Sequence, residues 1–246
     1  YRLLIKETGI LAGIEVAKQV LYQIDKDIKI TIQIPDGHKV GEGDTAFIAE
    51  GKIHSLLKAE RLVLNILQRM SGIATQTSQY VKKLEDLKTQ VLDTRKTTPG
   101  MRALEKMAVE LGGGKNHRMG LYDMIMLKDN HIDFAGGIDK AIRKTHKYLR
   151  KKDKILPIVV EARSLEEVES ILQVEGIDRI MLDNFSTENT RKAVEMINGK
   201  FETESSGGIT LDTIRDYAEC GVDYVSVGAL THQIKSLDMS LKAIDF

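Results

Sequence analysis

The sequence predicts an α/β fold in which a small N-terminal sheet and a long helix precede a parallel sheet, covered by helices and closed or nearly closed into a barrel. Three observations predict it. From Val91 onward, short apolar runs alternate with polar or glycine-containing loops and helical segments, the grammar of repeated strand–loop–helix units. The 246 residues approach the ~250 of a single α/β barrel. A hydrophobic share of 42% with only three prolines suffices to bury a large core, which rules out disorder.

Taken in order, Tyr1–Ile5 reads as the interior of an element whose start is expected upstream. Ile28–Ile34 alternates as a strand, Pro35-Asp36-Gly37 is a turn, and Thr45–Ile53 is a second strand interrupted by Gly51. From Ser55 to Leu87 apolar residues such as Leu56, Leu64, Leu67 and Ile73 recur at helical spacing, with a break predicted at Gly72. Six apolar runs follow: Val91-Leu92, Met124–Leu127, Ile155–Val160, Arg179–Leu182, a weak one at Lys200–Thr203, and Tyr224–Val227. A complete barrel needs eight.

Charge and cysteine content exclude several function classes. With 36 Lys+Arg against 36 Asp+Glu the chain is neutral, which gives no electrostatic support to a broad nucleic-acid or membrane-surface role. The single cysteine, Cys220, excludes a disulfide framework and a thiolate metal cluster and points to a reducing, cytoplasmic compartment. No apolar run approaches the ~18 residues of a membrane span. Between Arg95 and Lys128, however, seven Lys/Arg stand against three acids. One basic island on a neutral protein suggests a small anionic ligand.

The residues after each run carry the chemistry, because loops at the C-terminal ends of barrel strands share one crevice. They are Asp93–Lys96, Lys128–Asn130, Glu161–Arg163, Asp183-Asn184, Glu204–Gly208 and Gly228-Ala229. In Ser205-Ser206-Gly207-Gly208 hydroxyls and glycines feed a helical stretch at Leu211–Cys220, an arrangement that favours a phosphate; the plain alternative is a glycine turn with Thr210 as N-cap. Gly228 to His232 end the next strand, and barrels commonly hold phosphate between their last two strands. Lys128 reads as a Schiff-base amine, as a phosphate clamp, or as a structural partner of Glu161 or Asp183. Those two acids suit a divalent cation or sugar hydroxyls. Arg95 and Arg118 can grip carboxylates in bidentate fashion, with His117 an added donor, although a solvated charge run is the alternative. His38, His54, His131 and His146 show no metal-ligand spacing.

Ala59–Asn65, Ser71–Thr75, Asp93–Gly100, Gly112–Arg118, Leu127–His131, Leu182–Phe185, Glu204–Gly208 and Gly221–His232 together resemble the quinolinate phosphoribosyltransferases, the decarboxylating nicotinate-nucleotide pyrophosphorylases of NAD biosynthesis. Gly9–Gly13 and the Asp36-Gly37 turn extend the match. The resemblance implies an N-terminal α/β sandwich domain over residues 1–74, truncated at its start, and an incomplete α/β barrel of about seven strands over residues 75–246, with Gly114–Arg118 the short strand missing from the six runs. It implies a Mg²⁺-dependent reaction of quinolinate with phosphoribosyl pyrophosphate in a homodimer with shared sites. Arg95, His117 and Arg118 would hold the quinolinate carboxylates, joined by Arg61 from the neighbouring subunit. Lys96 and Lys128 would hold pyrophosphate or phosphate oxygens, and Glu161 and Asp183 the ribose hydroxyls and Mg²⁺. Ser205, Ser206, Gly207 and Gly208, with Gly228 and His232, would hold the 5′-phosphate. Leu62 stands where the family commonly has Thr. The rival readings are a Schiff-base aldolase using Lys128, a phosphoribosyltransferase for another pyridine carboxylate, and a non-catalytic anion-binding scaffold.

Overall fold

A computed structural model describes residues 1–244. In chain order its first elements are β1 (Arg2–Ile5), β2 (Gly9–Ile10), α1 (Ile14–Ile24), β3 (Lys29–Ile32), β4 (Lys39–Val40), β5 (Thr45–Glu50) and α2 (Ile53–Lys82). Next come β6 (Gln90–Leu92), α3 (Arg102–Leu111), β7 (Ile125–Leu127), α4 (Asp129–Ala135), α5 (Ile138–Lys151), β8 (Ile158–Ala162) and α6 (Leu165–Leu172). The last are β9 (Arg179–Asp183), α7 (Thr187–Ile197), β10 (Glu202–Ser206), α8 (Ile214–Ala218), β11 (Tyr224–Ser226), α9 (Ala229–His232) and β12 (Met239–Lys242). They divide into two compact units. The first holds Tyr1–Val81, Lys96–Lys115 and the chain from Ala229 onward; the second holds Lys82–Arg95 and Asn116–Gly228.

The first unit is built on an antiparallel sheet in the order β12-β1-β5-β3, with β2 and β4 as a separate pair. Leu3, Ile5, Phe47, Val63 and Leu67 are fully buried in its core, where α2 packs on the sheet. The strand expected to reach Ile53 stops at Glu50, and Ile53 instead opens α2. The predicted break at Gly72 does not occur: α2 runs for 30 residues. A Cβ on Gly72 would lie 2.3 Å from the Lys235 carbonyl oxygen, so the glycine admits a crossing segment and does not end the helix. Gly112, the C-cap of α3, also admits a close backbone, since its Cβ would lie 2.4 Å from the Ala74 carbonyl oxygen. Strand β12, absent from the expected set, pairs with β1 from Arg2↔Lys242 to Ile5↔Met239, so the sheet needs both ends of the chain.

The second unit contains a six-stranded parallel sheet in the order β6-β11-β10-β9-β8-β7. Each strand from β7 to β10 lies beside its successor and β6 lies beside β11, so β6 and β7 are the two edges of an incomplete barrel, as expected. Residues 114–118 form no seventh strand, only a one-residue bridge at Lys115. Side chains hold the segment between the edge strands instead. Asp93 Oδ1 accepts the His117 N–H at 2.7 Å, and the Asp123 carboxylate accepts the N–H groups of Met119 and Gly120 at 2.7 and 2.9 Å.

Register and the two-residue side-chain period give the sheet two unlike faces. Val160, Ile180, Leu182 and Val225 share one face and are buried. The other carries Glu161 on β8, Arg179 and Asp183 on β9, and Glu202, Glu204 and Ser206 on β10. A charged face inside a barrel is costly unless its groups pair. Those pairs build the site.

Candidate active site

Register brings the first pair together. Leu127 sits opposite Val160, which sets Lys128 beside Glu161; Lys128 Nζ donates to Glu161 Oε2 at 2.6 Å. The lysine side chain is 47% exposed and the carboxylate is buried, so the pair opens to solvent from the lysine side. One strand further, Ser206 lies opposite Asp183 and its hydroxyl donates to Asp183 Oδ1 at 2.6 Å, while Asn184 Nδ2 donates to Oδ2 at 2.7 Å. Glu161, Asp183 and Ser206 therefore end on one face, each with oxygens held in place by its neighbours.

The basic half of the site is built from the ends of β6 and the segment after residue 115. Asp93 is fully buried and anchors His117, and the Arg118 guanidinium donates to the Met124 carbonyl at 3.3 Å. Burial, and then the nearby charge of Arg95, push the Arg118 guanidinium below its ordinary value. The two guanidinium groups thus lie within electrostatic reach of each other.

Beneath this half lies a buried ionic chain. Glu204 is fully buried; its Oε2 accepts from Arg179 Nη1 at 2.9 Å and lies 3.3 Å from His117 Nε2. Arg179 also donates to Glu202 at 2.9 Å and stacks 3.8 Å over the Tyr224 ring. Burial raises the Glu204 carboxyl, but His117 and Arg179 outweigh it and leave it below the usual range. The buried Glu204 Oε1 has no hydrogen-bond partner among the described residues. Of this chain only His117 was given a role from the sequence; Glu204 was noted at the end of a run without one, and Arg179 and Glu202 were not among the expected site residues. A glutamate inside the run Glu202–Ser206, whose alternate residues are charged, was the chain's available signal.

The helix after the glycine loop is shorter than expected. Ser205 is buried on the face opposite Glu204 and Ser206, so it does not join Asp183. Gly207 and Gly208 both adopt positive φ, and a Cβ on Gly207 would lie 2.2 Å from Asn184 Oδ1, so the turn admits only glycine there. The helix expected at Leu211–Cys220 forms only over Ile214–Ala218, after a turn in which the Thr210 N–H donates to Thr213 Oγ1 at 3.0 Å; Thr213, not Thr210, is the N-cap. Gly228 closes the second unit just past β11.

Arg61, Lys96 and His232 belong to the first unit and are exposed. Arg61 lies on α2 among exposed Ile53, Leu57 and Leu62. Lys96 is held by its backbone, whose carbonyl accepts from Thr231 Oγ1 at 2.8 Å. Arg69, also missed in the sequence, donates to Glu105 Oε1 at 2.6 Å, Thr98 Oγ1 at 2.7 Å and the Thr231 carbonyl at 3.1 Å. It ties the chain after Lys96 to the chain before His232.

No group of three or more His, Cys, Asp or Glu side chains arranged to hold a metal occurs among the described residues. Glu161 and Asp183 are nevertheless hard oxygen donors on one sheet face, the donor type suited to Mg²⁺, which is usually held by one or two carboxylates together with substrate oxygens and water.

The family models for the N- and C-terminal domains of quinolinate phosphoribosyl transferase match residues 1–71 and 73–242. The chain is 45% identical to quinolinate phosphoribosyltransferase [decarboxylating] 1b of Nicotiana tabacum, over 97% of this chain and 72% of the relative. It is 41% identical to a probable nicotinate-nucleotide pyrophosphorylase [carboxylating] of Bacillus subtilis, over 96% of this chain and 80% of the relative. Among solved structures, NadC from Streptococcus pyogenes superposes with a TM-score of 0.93 at 43% identity, covering 98% of this chain and 84% of that one. The chain belongs to the quinolinate phosphoribosyl transferase family.

Proposed function

We propose that the protein transfers the phosphoribosyl group of phosphoribosyl pyrophosphate to quinolinate and decarboxylates the product, yielding nicotinate mononucleotide, pyrophosphate and CO₂ in NAD biosynthesis. Beyond family membership, the observation that carries this reading is the polar sheet face on which Glu161, Asp183 and Ser206 end, with Lys128 paired to Glu161 and with Arg118 within electrostatic reach of Arg95. Arg95 and Arg118 receive the two carboxylates. Lys96 and Lys128 hold pyrophosphate or phosphate oxygens, Glu161 and Asp183 the ribose hydroxyls, and Ser206, Gly207, Gly208, Gly228 and His232 the 5′-phosphate. The pyridine nitrogen attacks the ribosyl carbon as pyrophosphate leaves, so the carboxylates face a carbon that gains positive charge and the lysines face a leaving group that gains negative charge. The pyridinium then takes up the electron pair left by departing CO₂, and the carbon is reprotonated. Mg²⁺, held by Glu161 and Asp183, would neutralise pyrophosphate charge.

A Schiff-base lysine is activated by desolvation or by a neighbouring cation. Lys128 is half exposed and faces a carboxylate instead, which favours a clamp. Incubation with quinolinate, phosphoribosyl pyrophosphate and Mg²⁺ tests the reading: CO₂ and a pyridine nucleotide should appear together, and release of neither would refute it.

We further propose a homodimer in which Arg61 completes the partner's site, and a cytoplasmic location; no described helix is long and apolar enough to cross a membrane. Arg61→Ala and Lys128→Ala dimers should each be nearly inactive. Mixed dimers have one intact site of two, and random reassociation makes about half the dimers mixed, so activity should recover to roughly a quarter of wild type. Verified mixed dimers no more active than their parents would place Arg61 outside the neighbouring site.

A further inference from the structure

The His117 ring is expected from the sequence to donate to substrate. Its surroundings assign it otherwise. The Arg118 backbone N–H donates to His117 Nδ1 at 2.7 Å, and a backbone N–H can only donate, so Nδ1 is the accepting nitrogen. The ring proton then sits on Nε2, which lies 3.3 Å from Glu204 Oε2. Both ring nitrogens face protein atoms, and the residue is only 7% exposed. Its own backbone N–H is taken by Asp93. The backbone N–H and Nδ1 of His117 are thus both held by hydrogen bonds while Nε2 faces the Glu204 carboxylate, and the donor to Nδ1 is the amide of Arg118, the residue whose guanidinium is read as facing the substrate.

We infer that Glu204, fixed by Arg179, is a positioning residue: it locks His117 in the Nε2–H tautomer, His117 in turn fixes the backbone of Arg118, and the guanidinium is thereby aimed at the substrate carboxylate. The inference deepens the reading proposed above and rests on it for the identity of the substrate. It also accounts for a carboxylate kept fully buried with one oxygen unpartnered, an arrangement that apolar packing would avoid. Second-layer acids that fix a histidine tautomer act in the same way around catalytic and metal-bound imidazoles.

Two measurements test it. In the full-length protein carrying ¹⁵N-labelled histidine, long-range ¹⁵N–¹H correlation should show His117 with a protonated Nε2 and a bare Nδ1, and saturating quinolinate should leave that pattern unchanged. A proton on Nδ1, or a ring whose protonation pattern changes when quinolinate binds, overturns the inference and makes His117 a substrate contact. The resting tautomer is read without substrate, so failure of the proposed activity and failure of the lock are separable.

The second measurement uses Arg179→Met/Glu204→Leu, which removes the buried ion pair as a unit and takes away the carboxylate that faces Nε2. The KM for quinolinate should rise about 10-fold, equivalent to about 1.4 kcal/mol, with kcat and the KM for phosphoribosyl pyrophosphate within about twofold of wild type. A folded variant with unchanged quinolinate KM, or with both KM values raised alike, overturns it. If the variant does not fold, the tautomer measurement on the wild-type protein decides alone.

Discussion

Glu161 and Glu204 stand at the same level of the parallel sheet, on the same face, each opposite Met181 from its own side. Their partners differ. Glu161 meets Lys128, beside it in register, whose side chain is 47% exposed. Glu204 meets Arg179, which lies two residues earlier on the neighbouring strand, and His117, both nearly closed to solvent. An ion pair with one open partner can exchange that partner for a ligand's phosphate at little cost, whereas a buried one cannot be opened without leaving a bare charge in a low-dielectric interior. Identical side chains one strand apart on each side of Met181 thus serve as a working pair and a frame.

That contrast predicts opposite phenotypes. Arg179→Met leaves Glu204 without its guanidinium and should lower unfolding free energy by about 3–5 kcal/mol, measured by denaturant titration. The double substitution Arg179→Met/Glu204→Leu, in which both charges go, should recover most of that loss. Recovery of none would mean that Arg179 acts through its stacking on Tyr224 and not through charge.

On the working side, Arg118→Ala should reduce kcat/KM for quinolinate by at least about 100-fold, since a bidentate carboxylate contact is worth about 1.5–3 kcal/mol per charged bond. Its melting curve should move far less than that of Arg179→Met. Lys128→Arg should have a smaller effect and keep measurable turnover, because a cation still faces the leaving group. Complete loss of activity in this variant, together with a borohydride-stable adduct on the wild-type lysine, would restore the Schiff-base reading.

The sequence makes the working pair legible and hides the frame, for a physical reason. Lys128, Glu161 and Asp183 fall at the ends of apolar runs, where polarity changes abruptly and barrel geometry points toward a shared crevice. Glu204 follows a weak run and reads as the start of a loop, although it lies inside β10, because a strand whose inner face is charged lacks an apolar signature. Gly72 reads as a helix break because glycine is a poor helix former; the crossing at Lys235 that requires it comes from a segment more than 160 residues away. Strand β12 is hidden for the same reason, since its pairing with β1 joins opposite ends of the chain. His117 was visible as a histidine in a basic loop, but the direction of each ring nitrogen depends on a backbone amide and a buried acid that no spacing reveals.

The most direct test of the central claim, that Arg95 and Arg118 form a site for two carboxylates, compares quinolinate with nicotinate as acceptors under identical phosphoribosyl pyrophosphate and Mg²⁺. Nicotinate lacks one carboxylate and leaves part of the cationic site unpaired, at a cost of at least about 1.4 kcal/mol, so quinolinate should be preferred by at least ~10-fold in kcat/KM. Equal use of the two acids would contradict the account.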